Sequence, residues 1–157
     1  MVKINFLNRQ RKIKLPQNVK QLVFDAVSAS LLTEEINSDV EVNVTFVSDA
    51  MIKTINRDFR NINRSTDVLS FPLGCDGEYD INPENGCIML GDIIISSEHA
   101  VAQSEEFGHS LDREIGYLTV HSMFHLLGYD HIDEGEDKKI MRAKEECALK
   151  KIGLEII

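Results

Sequence analysis

Alternation and helical spacing divide the chain into segments with different buried faces. Residues 2–7 (VKINFL) alternate and predict a strand, and residues 40–47 (VEVNVTFV) do so more cleanly. In the latter, Val40, Val42, Val44 and Phe46 point one way and Glu41, Asn43 and Thr45 the other. Between them, Val19, Leu22, Val23, Ala26 and Val27 recur at helical spacing, which predicts a helix over about 17–32 after Pro16. Ser48 is placed to cap a second helix over about 49–60, expected to bury Met51, Ile52, Ile55 and Phe59. TDVLSFP (66–72) reads as a short strand closed by Pro72. Residues 74–86 carry the Gly, Asn, Asp and Pro of a loop. The unbroken apolar run CIMLGDIII (87–95) predicts a central strand covered on both faces, with Gly91 marking a bulge or a close approach.

The later half is helical in pattern. Ser96 or Ser97 opens a helix to about Glu106. Ser110 caps another, with Asp112 and Glu114 near its positive end. That helix carries Ile115, Leu118, His121, Phe124 and His125 inward and stops near Leu127, where Gly128 suits a left-handed cap. Asp133, with Glu136 three residues on, predicts the start of a last helix burying Ile140, Ala143, Cys147 and Leu149. Early strands and late helices give an α+β fold, a small mixed sheet packed with helices, in one domain over residues 1–157.

Charge alters this picture because it is uneven. The chain of 157 residues has a net charge of −9. Residues 1–74 hold ten Lys or Arg and eight Asp or Glu, a balance of +2, and the remainder carries −11. Two basic groups stand out: Lys3, Arg9, Arg11, Lys12, Lys14 and Lys20, then Lys53, Arg57, Arg60 and Arg64 opposed only by Asp58. Local field, not total charge, decides where a polyanion docks. No stretch approaches the roughly 20 apolar residues that span a bilayer, and the N-terminal segment has no signal-peptide apolar block. Cys75, Cys87 and Cys147 form no CxxC and read as reduced thiols of a cytoplasmic protein.

The candidate chemistry lies in HSMFHLLGYDH. His121 and His125 are four apart on one helical face, Gly128 lets the chain turn back, and His131 arrives from the turn. Three imidazoles leave a divalent ion a fourth position for water, the arrangement of a catalytic zinc site, and the ion brings bound water near pKa ~7. Nickel, copper or iron also suit nitrogen donors. Zinc peptidases with this histidine spacing place Glu after the first histidine; here that residue is Ser122, which argues against peptidase chemistry. Asp130, next to the third histidine, has three open roles: orienting an imidazole, taking a proton from water, or facing solvent. His99 and His109 read as surface or capping histidines. A phosphodiester substrate needs cations for its phosphoryl oxygens, and Arg60, in RDFRNINRSTDVLSFP, offers the planar fork for that task.

Together these segments resemble the YbeY family of bacterial endoribonucleases. The resemblance rests on His121 to His131, on Asn56 and Arg60 followed by Thr66 to Pro72, and on Gly91, Asp92 and Ile93. It implies a zincin-like metal cleft, with zinc held by His121, His125 and His131. It also implies cleavage of single-stranded RNA in maturation of the small-subunit rRNA end and in ribosome quality control. Arg60 would line the cleft and contact the RNA backbone, and His121 and Asp130 join it as candidate catalytic residues. Ribosomal subunits and assembly factors would be the partners, in the cytoplasm. The competing reading is a zinc-containing ribosome-assembly factor with little nuclease activity.

Overall fold

The computed structural model describes residues 1–129 and 135–154. Its elements are β1 (Val2–Asn8), α1 (Val19–Thr33), β2 (Val40–Val47), α2 (Asp49–Arg60), β3 (Val68–Pro72), β4 (Ile88–Ser96), α3 (Ser97–Phe107), α4 (Leu111–Leu126) and α5 (Glu136–Lys151). Four strands form one mixed sheet in the order β1-β2-β4-β3. The first three are parallel, and β3 runs antiparallel along β4 as an edge, pairing Ser70 with Ile93 and Phe71 with Asp92. The fold is α+β, as the pattern of strands and helices predicts.

The alternation in β2 decides which face of the sheet is buried. Val40, Val42, Val44 and Phe46 join Leu90, Ile93 and Ile95 of β4 in the main core, against α1 and the Ile115, Leu118 and Leu126 side of α4. A second cluster lies between α1, α4 and α5 around Ala26, Val120, Phe124 and Met141. The opposite face of the sheet departs from expectation. It is covered only in part, where Ile52 and Ile55 of α2 meet Leu69, Phe71 and Ile94. Elsewhere a row of polar side chains crosses it. Asn5 donates to Asn43 (2.8 Å), and Asn43 donates to Asp92 (2.7 Å). A half-buried strand face with satisfied polar pairs needs no apolar cover.

Gly91 explains the irregularity in β4. The register against β2 shifts between Glu41 and Val42, so Leu90 is the extra residue of a bulge. Gly91 has φ +145°, and a Cβ there would lie 2.2 Å from the Phe71 carbonyl oxygen. The close approach is what lets the edge strand β3 pair at this point.

Two helices depart from the sequence expectation, α2 in how far its stripe is covered and α5 in phase. In α2, Ile52 is fully buried, whereas Met51 and Phe59 are 39% and 73% exposed. Phe59 keeps the angular position of the buried stripe but lies in the last turn, where it meets Phe71 and stays mostly exposed. In α5 the inward residues are Met141, Glu145, Ala148 and Leu149, while Ile140, Ala143 and Cys147 face solvent. The helix begins at Glu136 after Gly135, with no side-chain cap. Asp133, expected to open it, lies outside the described residues.

Candidate metal centre

Helix α4 presents the histidines because its cap and its packing fix its rotation. The Ser110 hydroxyl accepts the Arg113 amide at the N-terminus (3.1 Å). Ile115, Leu118, Val120, Phe124 and Leu126 are buried on either side of the histidine stripe. Tyr117, His121 and His125 then follow one another at four-residue spacing. The Tyr117 ring stacks on His121 with centroids 5.6 Å apart, and the two imidazoles meet edge to face at 4.6 Å.

The ring nitrogens are oriented. The Nε2 atoms of His121 and His125 face each other at 3.2 Å. The Nδ1 of His125 lies 2.9 Å from the Tyr129 carbonyl oxygen, and the Nδ1 of His121 lies 2.6 Å from Oε2 of Glu145. A carbonyl only accepts, so His125 donates from Nδ1, and in the neutral ring Nε2 carries the electron pair. The Glu145 carboxylate imposes the same tautomer on His121. Two electron pairs turned toward one another call for a shared proton or cation. A tetrahedral zinc with Zn–N distances of ~2.0–2.1 Å separates its nitrogens by about 3.3–3.4 Å, close to the spacing here. The donor set and its outer hydrogen bonds therefore fit a metal.

The pair is incomplete by itself. Among the described residues, no group of three or more His, Cys, Asp or Glu side chains is placed to hold an ion. His131, the third ligand expected from sequence, and Asp130 lie outside the described residues.

Arg60 approaches from the end of α2. Its Nη2 donates to the Ser70 carbonyl at 2.5 Å, and its guanidinium carbon sits 5.1 Å from the Phe71 ring centroid. The Ser70 hydroxyl in turn shares a hydrogen bond with Ser122, inside α4. Arg60 thus braces the residue whose side chain touches the histidine-bearing helix. Ser122 is fully buried and occupied by this contact, a packing role. On the loop between β3 and β4, the Tyr79 hydroxyl donates to the Leu126 carbonyl and secures the helix end.

Glu145 is the residue that the sequence reading misses. It is 5% exposed, and its position three-dimensionally opposite His121 depends on the phase of α5. Burial, with the Glu145 charge beside it, pushes the Tyr117 hydroxyl up to about 12, so it stays protonated at neutral pH. His99 and His109 are paired rather than simply superficial. His99 Nδ1 lies 2.6 Å from Asp49, and His109 Nε2 lies 2.5 Å from Glu114, a buried carboxylate that also accepts from Gln103.

A cleft of about 1150 Å³ adjoins Tyr117 and Glu145 and continues past His109 and Glu114. A second, of about 530 Å³, is lined by Asn56, Arg60, Arg64 and His99. Asp67 and Gln103 line both.

A family model described as endoribonuclease YbeY matches residues 5–153. A Clostridium botulinum protein named endoribonuclease YbeY is 45% identical over 160 residues, covering 94% of this chain and 96% of that protein. One from Caldicellulosiruptor bescii with the same name is 43% identical over 157 residues, covering 98% and 99%. The solution structure of a Thermotoga maritima protein superposes with a TM-score of 0.57 at 28% identity, covering 95% of this chain and 91% of that one.

Proposed function

This chain belongs to the YbeY endoribonuclease family, and from that premise we propose that it is a zinc-dependent endoribonuclease that cleaves single-stranded RNA during rRNA maturation. The observation that carries the metal reading is the pair of opposed Nε2 atoms, 3.2 Å apart, with each Nδ1 set against an acceptor. His121 and His125 would hold the ion together with His131. When bound, zinc supplies a Lewis acid and lowers the pKa of a coordinated water.

The chain's own groups do the rest. Glu145 and the Tyr129 carbonyl fix the tautomer and direction of the two rings before any ion arrives. Arg60 offers a guanidinium at the edge of the cleft, where negative charge builds on the phosphoryl oxygens as the bond breaks. Asp130, beside the third ligand, is the nearest carboxylate in sequence for orienting that imidazole or taking a proton. RNA also carries a 2′-hydroxyl as an internal nucleophile. Ribosomal subunits and assembly factors in the cytoplasm are the proposed setting. No helix among the described residues is long and apolar enough to cross a membrane.

The test is cleavage of a labelled single-stranded RNA by purified protein, before chelation, after it, and after zinc is restored. His125→Ala serves as the control for contaminating nuclease. Loss on chelation, recovery with zinc and inactivity of the variant are expected. A 2′,3′-cyclic phosphate on the product identifies attack by the 2′-hydroxyl. A His125→Ala protein that folds, binds pre-ribosomal particles and matures rRNA as the parent does would replace this reading with that of an assembly factor.

A further inference from the structure

The end of α2 carries a largely exposed aromatic group. Phe59 is 73% exposed, and its ring meets that of Phe71, with centroids 5.8 Å apart and planes at 64°. The other side of the group is polar. The Arg60 guanidinium lies over the Phe71 ring, so Phe59, Phe71 and Arg60 form a small platform at the edge strand.

Charge on this end of α2 is predominantly positive. Lys53, Arg57, Arg60 and Arg64 are all exposed, and Asp58 is the one acid between residues 53 and 64, giving four minus one, or +3. Asp58 pairs with Arg57 (3.1 Å). This patch belongs to a chain whose net charge is −9. Cations at a helix C-terminus complement the helix dipole, which accounts for Arg57 and Arg60. It accounts for neither Lys53, a turn earlier, nor Arg64 beyond the helix, nor an exposed phenyl ring among them.

We propose that Phe59, supported by Phe71 and flanked by these cations, is a stacking shelf for an unpaired base of an RNA strand. The inference rests on RNA being the substrate and deepens that reading. A bare ring beside a basic track is the chemistry of single-strand binding: the ring takes the face of any base, and the cations follow the phosphates. A duplex keeps its bases stacked internally and cannot use the ring. The shelf therefore selects single strands. It does so beside Arg60, whose other contact is the Ser70 backbone next to the histidine helix.

The experiment measures binding of a fluorescent single-stranded RNA, and of an abasic strand of equal length, across a salt series. Phe59→Ala weakens binding of the base-bearing strand about 5- to 100-fold and leaves the abasic strand and the salt slope unchanged. Phe59→Trp retains parental affinity. The double variant Lys53→Gln/Arg57→Gln lowers the salt slope by about 1.4, as expected for two lost phosphate contacts on a single strand. Thermal unfolding of each variant reports its fold. Parental binding by Phe59→Ala, or equal loss on the abasic strand, overturns the shelf and leaves the nuclease reading standing. A parent protein that binds no RNA overturns both.

Discussion

The hydroxyl of Ser70, in the edge strand β3, shares a hydrogen bond with the hydroxyl of Ser122, one residue after the first candidate ligand in α4. Both side chains are buried. Removing either hydroxyl leaves the other desolvated without this partner, at a cost of about 1–3 kcal/mol. Ser70→Ala and Ser122→Ala should each lower stability by that order. The double variant should lose less than the sum of the two. A double-mutant cycle by urea denaturation reads the coupling directly.

Glu145 is expected to act through His121. Replacing it by Gln keeps the side chain's shape but removes the negative charge set against Nδ1 at 2.6 Å. Zinc affinity, measured by competition with a chromophoric chelator, should fall about 10- to 100-fold. Far-ultraviolet dichroism should be unchanged. Unaltered zinc affinity would assign the buried carboxylate to packing of α5 alone.

Arg60→Ala separates binding of metal from handling of substrate. Arg60 donates to the Ser70 carbonyl and lies over the Phe71 ring. Zinc stoichiometry by elemental analysis should remain near that of the parent, while RNA turnover falls about 10²- to 10³-fold. Parallel loss of metal would instead make Arg60 a structural brace of the histidine helix.

Two carboxylates give the fold an acid dependence. Burial alone would raise Asp49, but the Ser96 hydroxyl and the His99 ring hold its carboxyl below the usual range. Glu41 is held low by the amides of Asn85 and Asn5. A carboxyl whose folded pKa is depressed contributes stability above its unfolded value, about 3.9 for Asp and 4.3 for Glu. That contribution is lost as pH falls through the folded value. The double variant Asp49→Asn/Glu41→Gln should show a smaller drop in Tm than the parent between about pH 5 and pH 3.

The elements that were legible in the chain are those whose pattern reports directly on what covers them. The alternation of β2 gave its boundaries, Val40–Val47, and its buried face. Ser48, Ser96 and Ser110 each cap the helix they precede. The convergence of His121 and His125 follows from four-residue spacing and is present. What spacing could not supply was the extent of the neighbouring surface. Phe59 lies on the correct stripe of α2, yet in the last turn it stays 73% exposed beside Phe71. In α5, two apolar stripes compete: Ile140, Ala143 and Cys147 against Met141, Ala148 and Leu149. Burial of a charged residue decided between them, since Glu145 gains its partner only in the second phase. No local pattern announces a buried acid; only the histidine across the gap does.

The carbonyl that aims the His125 ring belongs to Tyr129, three residues past the end of α4, and Gly128 at φ +105° delivers it there. Among the described residues, nothing lies within 4 Å of the place where a Gly128 Cβ would be, so crowding by them does not forbid one. Only backbone strain does. A change at this bend, touching no imidazole and no nucleotide, would swing the carbonyl and turn the ring with it. The direction of the His125 ring is thereby entrusted to main-chain torsion, and a neutral-looking substitution at Gly128 would reach the ring without touching it.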